Sequence, residues 1–158
     1  MTAGVPTRAA RYFNPFRLAT YLLVLFCAGH TWGALLSIPH FSDASDAVLH
    51  AMQSVHFRVQ TFDVTWFGFY LGFGWLDSVF FLFSALVTWF LGGLTRCEQR
   101  ALAPIIWALF LSYVACAGLS WAYFFFAPGI FSTLIAVLLA LESLKTLQPA
   151  STKGQVAA

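Results

Sequence analysis

Four long apolar stretches divide this chain, and nearly every basic residue lies on one side of them. A hydrocarbon core about 30 Å thick takes roughly 20 apolar residues to cross as a helix. Only a helix or a closed barrel satisfies its backbone polar groups there. With 60% hydrophobic and 9% charged residues, and a mean hydropathy of +0.79, the chain is not an ordinary soluble domain, where about a quarter of residues are charged. A net charge of +2 is too small and too dispersed for a nucleic-acid surface. The expected fold class is all-α: a four-transmembrane-helix bundle with a short extramembrane amphipathic helix between helices 1 and 2. It forms a single membrane domain over residues 1–148, with a disordered tail over 149–158.

The first stretch runs over residues 18–38 without Asp, Glu, Lys or Arg. It exceeds a signal-peptide core, and no small-x-small cleavage site follows, so it is read as a retained span. The second covers 64–91 with one acid, Asp77, near its middle. The third, 102–126, is uncharged, with Pro104 in its first turn, where a missing N–H costs little. Pro128-Gly129 is expected to reverse the chain into the fourth, 130–147, where Glu142 and Lys145 at i and i+3 can pair and snorkel toward an interface.

With the amino terminus inside, Arg8, Arg11, Arg17, Arg96, Arg100, Lys145 and Lys153 are cytoplasmic and only Arg58 lies opposite. The positive-inside rule selects that orientation and places both termini in the cytosol. In the polar connection over 39–63, Ser42, Ser45, Asp43 and Asp46 supply helix-start chemistry. Val48, Met52, Val55 and Val59 then recur at helical spacing, predicting an amphipathic helix over about 45–60, lying on the outer face or in the interface.

Asp77 is the first functional lead, because an intramembrane carboxylate is costly and usually faces a partner inside the bundle. Tyr70, Asp77, Ser84 and Thr88 share one helical face. His30 lies at similar depth and is the expected partner of Asp77. The third span adds Ser112, Tyr113, Cys116, Ser120 and Tyr123, and the fourth Thr133, Ala136, Ala140 and Ser143. His30, Tyr70, Asp77, Ser84 and Cys116 thus form the candidate intramembrane cluster. It is either a structural polar contact, since small polar residues pack membrane helices together, or a ligand, proton or catalytic site. Gly68-x-x-x-Gly72 is read first as a packing device, with homo-oligomerisation as a further option.

Three cysteines without a Cys-x-x-Cys motif give no dithiol or zinc chemistry. His50 and His56 would stand about 120° apart on a helix, without the i, i+4 ligand spacing. A haem held between membrane helices would need a second intramembrane histidine. No metal or cofactor is implied.

The runs Ala28-Gly29-His30-Thr31-Trp32-Gly33, Asp46-Ala47-Val48-Leu49-His50-Ala51-Met52 and Phe69-Tyr70-Leu71-Gly72-Phe73-Gly74, the last followed by Ser78-Val79-Phe80, resemble a family of small bacterial four-helix membrane proteins with no assigned activity. The resemblance covers residues 20–145 or so. It implies a bacterial inner-membrane location and a self-contained bundle, and nothing about reaction type. It also implies leucine at the position of Asp77, which shifts weight toward His30 and Tyr70.

Three functions follow. A non-enzymatic component would bind a lipophilic small molecule or another membrane protein in the bundle, with 18 Phe residues lining an apolar site. A membrane enzyme would act on a sterol-, isoprenoid- or fatty-acyl-like substrate by isomerase-like chemistry, with His30 or Asp77 as acid/base and Tyr70 as proton donor. A proton- or ion-coupled carrier is disfavoured by the lack of an internal repeat. The lipid bilayer is a partner in all three.

Overall fold

The computed structural model describes residues 14–38 and 40–148. The expected tail, and the basic residues Arg8, Arg11 and Lys153, lie outside the described residues. The elements in order are α1 (Pro15–His30), which continues as a π-helical segment (Thr31–Leu36), α2 (Asp43–Ser54), β1 (His56–Val59), β2 (Phe62–Thr65), α3 (Trp66–Leu91), α4 (Arg96–Ala101), α5 (Ala103–Tyr123) and α6 (Phe126–Thr146). The expected all-α class holds. Four stretches are long and apolar enough to cross a membrane: Pro15–Leu36, Trp66–Leu91, Ala103–Tyr123 and Phe126–Thr146. The chain is a multi-pass integral membrane protein. Its described residues form two compact units, Leu23–Ala85 and the stretches up to Leu22 and from Leu86 onward.

Local chemistry sets the helix ends. Asn14 caps α1, its Oδ1 accepting from the Arg17 amide at 2.7 Å, and Pro15 occupies the first helical position, where its fixed φ suits the helix and no N–H is needed. The span therefore begins three residues before the apolar run does. At its far end the Ser37 amide bonds back five residues to Trp32 O at 2.8 Å, the widened turn of a π-helix.

In the unit Leu23–Ala85, Ser42 caps α2 through the Ser45 amide, as its sequence predicts. The helix ends at Ser54, not near residue 60. Residues 56–65 form an antiparallel hairpin pairing His56 with Thr65, Phe57 with Val64, Arg58 with Asp63 and Val59 with Phe62. β-Branched and aromatic residues favour the pleated strand. Gln60 supplies the turn with a left-handed φ of 55°. Phe57 stacks on Trp66 with centroids 4.4 Å apart, seating the hairpin on the start of α3, which Thr65 caps by accepting from the Gly68 amide. α2 buries none of its residues against protein.

In the second unit, α5 and α6 form a hairpin, but the reversal falls at Phe124-Phe125 rather than at Pro128-Gly129. Both of the latter lie in the first turn of α6, where amide groups have no intrahelical acceptor and proline costs little. Gly129 is there for packing: a Cβ at this position would lie 2.8 Å from the Trp121 indole. Trp121 also donates from Nε1 to Thr133 Oγ1 at 3.0 Å. At the other end of the unit, Asn14 donates to Gly92 O at 2.9 Å, the Arg17 guanidinium stacks on the Trp89 ring at 3.5 Å, and Thr20 and Thr88 share a buried hydrogen bond of 2.9 Å.

Candidate functional site

The polar residues of α1 turn onto α3, and most of them meet main chain. His30 donates from Nε2 to Gly74 O at 3.1 Å, which fixes its proton on that nitrogen because a carbonyl only accepts. Its ring also stands edge-on to Phe81 at 5.7 Å, and Phe81 stacks on Phe26. Ser78 Oγ donates to the same Gly74 O at 3.2 Å, so its contact with Thr31 Oγ1 at 2.9 Å is donated by Thr31. Cys27 Sγ donates to Ser78 O at 3.4 Å, and Tyr70 donates to Ala34 O at 3.2 Å. The helices meet here because Gly74 has no side chain: a Cβ would overlap Leu35 Cδ2. Small residues at the crossing allow this approach, and the hydrogen bonds hold it.

The expected pairing of His30 with Asp77 is not formed. The His30 ring is taken by the Gly74 carbonyl, and among the described residues Asp77 has no hydrogen bond or ion pair. It lies exposed on α3. The stripe containing it is divided: Ser84 and Thr88 are fully buried, whereas Tyr70 is 44% exposed and Asp77 is exposed. Cys116 is half-buried on α5 and in no disulfide, outside the unit that contains His30, Tyr70 and Asp77. Its sequence neighbours divide as well: Tyr113 and Ser120 are buried, and Ser112 turns back to Ala108 O.

Beside Asp77, α3 carries an open apolar groove of about 420 Å3 lined by Val64, Gly68, Phe69, Gly72, Phe73 and Leu76. Gly72 forms its floor; nothing within 4 Å would meet a Cβ there. The Gly68-x-x-x-Gly72 spacing thus faces outward, whereas Gly74, two residues on, packs the crossing with α1. Phe73 precedes Asp77 by one helical turn, so Asp77 follows the groove along α3 without lining it.

A second polar cluster lies at the ends of the spans where the basic residues gather. Glu142 on α6 is 1% exposed, and its two oxygens hold different cations: Arg96 Nη1 at 2.7 Å and Lys145 Nζ at 2.7 Å. The i, i+3 pairing of Glu142 with Lys145 is the expected one, but the carboxylate is buried rather than snorkelling. Arg96 Nη1 also donates to Gln99 Oε1 at 3.0 Å, and the buried Gln99 donates to Leu91 O at 2.8 Å. In the sequence Arg96 reads only as a cytoplasmic charge, not as a partner of Glu142, and Gln99 is not singled out. The signal available was Glu142 itself, an acid in an apolar span that needs more than one neighbour. Next to this cluster, Thr95 and Glu98 form a capping box at the start of α4. The two hydrogen bonds from Thr95 hold the Glu98 carboxyl below its ordinary value of 4.5, because both stabilise the charged form.

In the connection between α1 and α3, His40 Nδ1 meets Asp46 Oδ2 at 2.6 Å and His56 Nδ1 meets Asp63 Oδ1 at 3.3 Å, both pairs exposed. Among the described residues no three His, Cys, Asp or Glu side chains are grouped to hold a metal ion. Comparison with protein-family models, curated proteins and solved structures gives no match to this chain.

Proposed function

We propose that this chain is a non-enzymatic membrane component that receives a partner transmembrane helix along the half of α3 following the polar connection. The observation that carries this reading is Asp77: a carboxylate within an apolar helix, exposed, without a partner among the described residues, and next to Leu76 of an outward groove. Such a group in lipid costs roughly 3 kcal/mol or more. A neighbouring helix that brings a donor or a cation removes that cost. Gly72 at the floor, between Phe69 and Phe73, fits the close approach of another helix backbone. Acid/base chemistry has less support, because His30 and Tyr70, its two best candidates, each donate to a main-chain carbonyl.

The same reading places the protein in a bacterial inner membrane with both termini cytoplasmic, supported by the distribution of basic residues. It leaves α2 lying in the interface, with its apolar residues against lipid. A lipophilic small molecule is the competing occupant of the groove, which has an almost wholly apolar lining. The test is the size of the complex released from native membranes in a mild detergent, for wild type, Asp77→Leu and Gly72→Leu. The proposal expects a particle larger than one chain in wild type and a single chain in both variants. A single chain in all three removes it.

A further inference from the structure

Glu142 is one carboxylate with two cations upon it. Two positive charges against one negative leave one unneutralised at the ends of α3 and α6, where spans meet the polar boundary. Among the described residues of the same unit, the other acid is Glu98. The Glu98 carboxylate is spent on the Thr95 amide and hydroxyl at 2.7 and 2.8 Å.

The donors are also fixed. Arg96 spends Nη1 on Glu142 and Gln99, which leaves the Nε and Nη2 side of the planar guanidinium without an acceptor among the described residues, and that side chain is 57% exposed. Lys145 spends one of its three N–H donors on Glu142 and is 36% exposed. A guanidinium and an ammonium held on the two oxygens of one buried carboxylate stand side by side with donors to spare. That arrangement suits a phosphate oxyanion, which accepts from several cationic donors at once. Leu141 and Leu144, in the same turns of α6, are exposed apolar surface along which an acyl chain can lie.

We infer that Arg96 and Lys145, oriented by Glu142 and Gln99, bind the phosphate of an anionic phospholipid headgroup. Inorganic phosphate offers the same oxyanion without the chains, and the test separates the two. The inference does not use the α3 groove. The purified full-length chain in detergent is titrated with phosphatidylglycerol and, separately, with phosphatidylcholine, and bound lipid is counted by native mass spectrometry. Wild type retains phosphatidylglycerol in preference to phosphatidylcholine. Lys145→Gln and Arg96→Gln each weaken that retention roughly fivefold; Arg96→Lys restores part of it, and Arg58→Gln, on the hairpin, leaves it unchanged. Excess inorganic phosphate does not displace the lipid, since it lacks the apolar contacts. If Arg96→Gln does not fold, Lys145→Gln decides, because it leaves the Arg96–Glu142 pair in place. Equal retention of the two lipids by wild type, unchanged retention in the variants, or displacement by inorganic phosphate overturns the inference.

Discussion

The imidazole of His30 donates to the carbonyl oxygen of Gly74, forty-four residues along the chain, at 3.1 Å. The ring that looked best placed for intramembrane chemistry is a strut between two helices. Its loss is expected to be mild, because Gly74 O keeps the Ser78 hydroxyl. His30→Ala should lower stability by about 1 kcal/mol, the scale of one hydrogen bond between membrane helices. It should leave the size of the released complex unchanged. A thermal melt in detergent, run beside a sizing experiment, checks both. Loss of the complex without loss of stability would return His30 to the functional site.

Asp77 is expected to behave in the opposite way. With no partner among the described residues, it contributes nothing to the fold that leucine would not, so Asp77→Leu should melt at the same temperature as wild type or higher. The scale of the gain is set by the roughly 3 kcal/mol cost of a mid-membrane acid. A marked fall in melting temperature would show that the carboxylate has a structural partner.

Three glycines separate fold from surface. Gly72→Leu meets nothing within 4 Å and should leave stability unchanged or slightly raised, since glycine is a poor helix former. Gly74→Leu must displace Leu35, and Gly129→Leu must displace the Trp121 ring; each should cost about 1–3 kcal/mol or more, as overpacking does. Melting temperatures of the three variants should therefore fall into two groups.

The Glu142 cluster predicts an asymmetry. Replacing Glu142 with Leu strands two cations that already reach solvent. Replacing both Arg96 and Lys145 with Met strands a buried anion, which costs roughly 3–5 kcal/mol. Chemical denaturation in detergent should rank the double variant well below Glu142→Leu. The reverse order would mean that the carboxylate is solvated.

The spans were legible in the sequence because hydrophobic length decides them, and their limits shift only where capping intervenes. Asn14-Pro15 starts α1 ahead of the apolar run, and Phe124-Phe125, two of the most apolar residues in the chain, are the turn between α5 and α6 because Gly129 must sit under Trp121. The hairpin over 56–65 was hidden because Val48, Met52, Val55 and Val59 keep a helical period past the point where the helix ends. Of the candidate cluster, the sequence singles out His30, Tyr70 and Asp77 as ionisable or phenolic groups within the spans. It did not reveal that His30 and Tyr70 would each find a backbone carbonyl, because Gly74, which makes one of those approaches possible, has no side chain to signal it. Of the partners of Glu142, Lys145 was legible at i+3, whereas Arg96 was missed: it is forty-six positions away, and only the tertiary fold joins them.

The proposed function requires that another helix occupy the α3 groove. A photoreactive phenylalanine analogue placed at Phe73, on the groove wall one turn from Asp77, and irradiated in native membranes measures this directly. One discrete protein adduct is expected, to a second copy or to another membrane chain as peptide sequencing of the adduct will tell. Gly72→Leu and Asp77→Leu should abolish the adduct, while the same probe at Phe83 gives none. Adducts to lipid alone at Phe73, or a protein adduct indifferent to both substitutions, would contradict the proposed function.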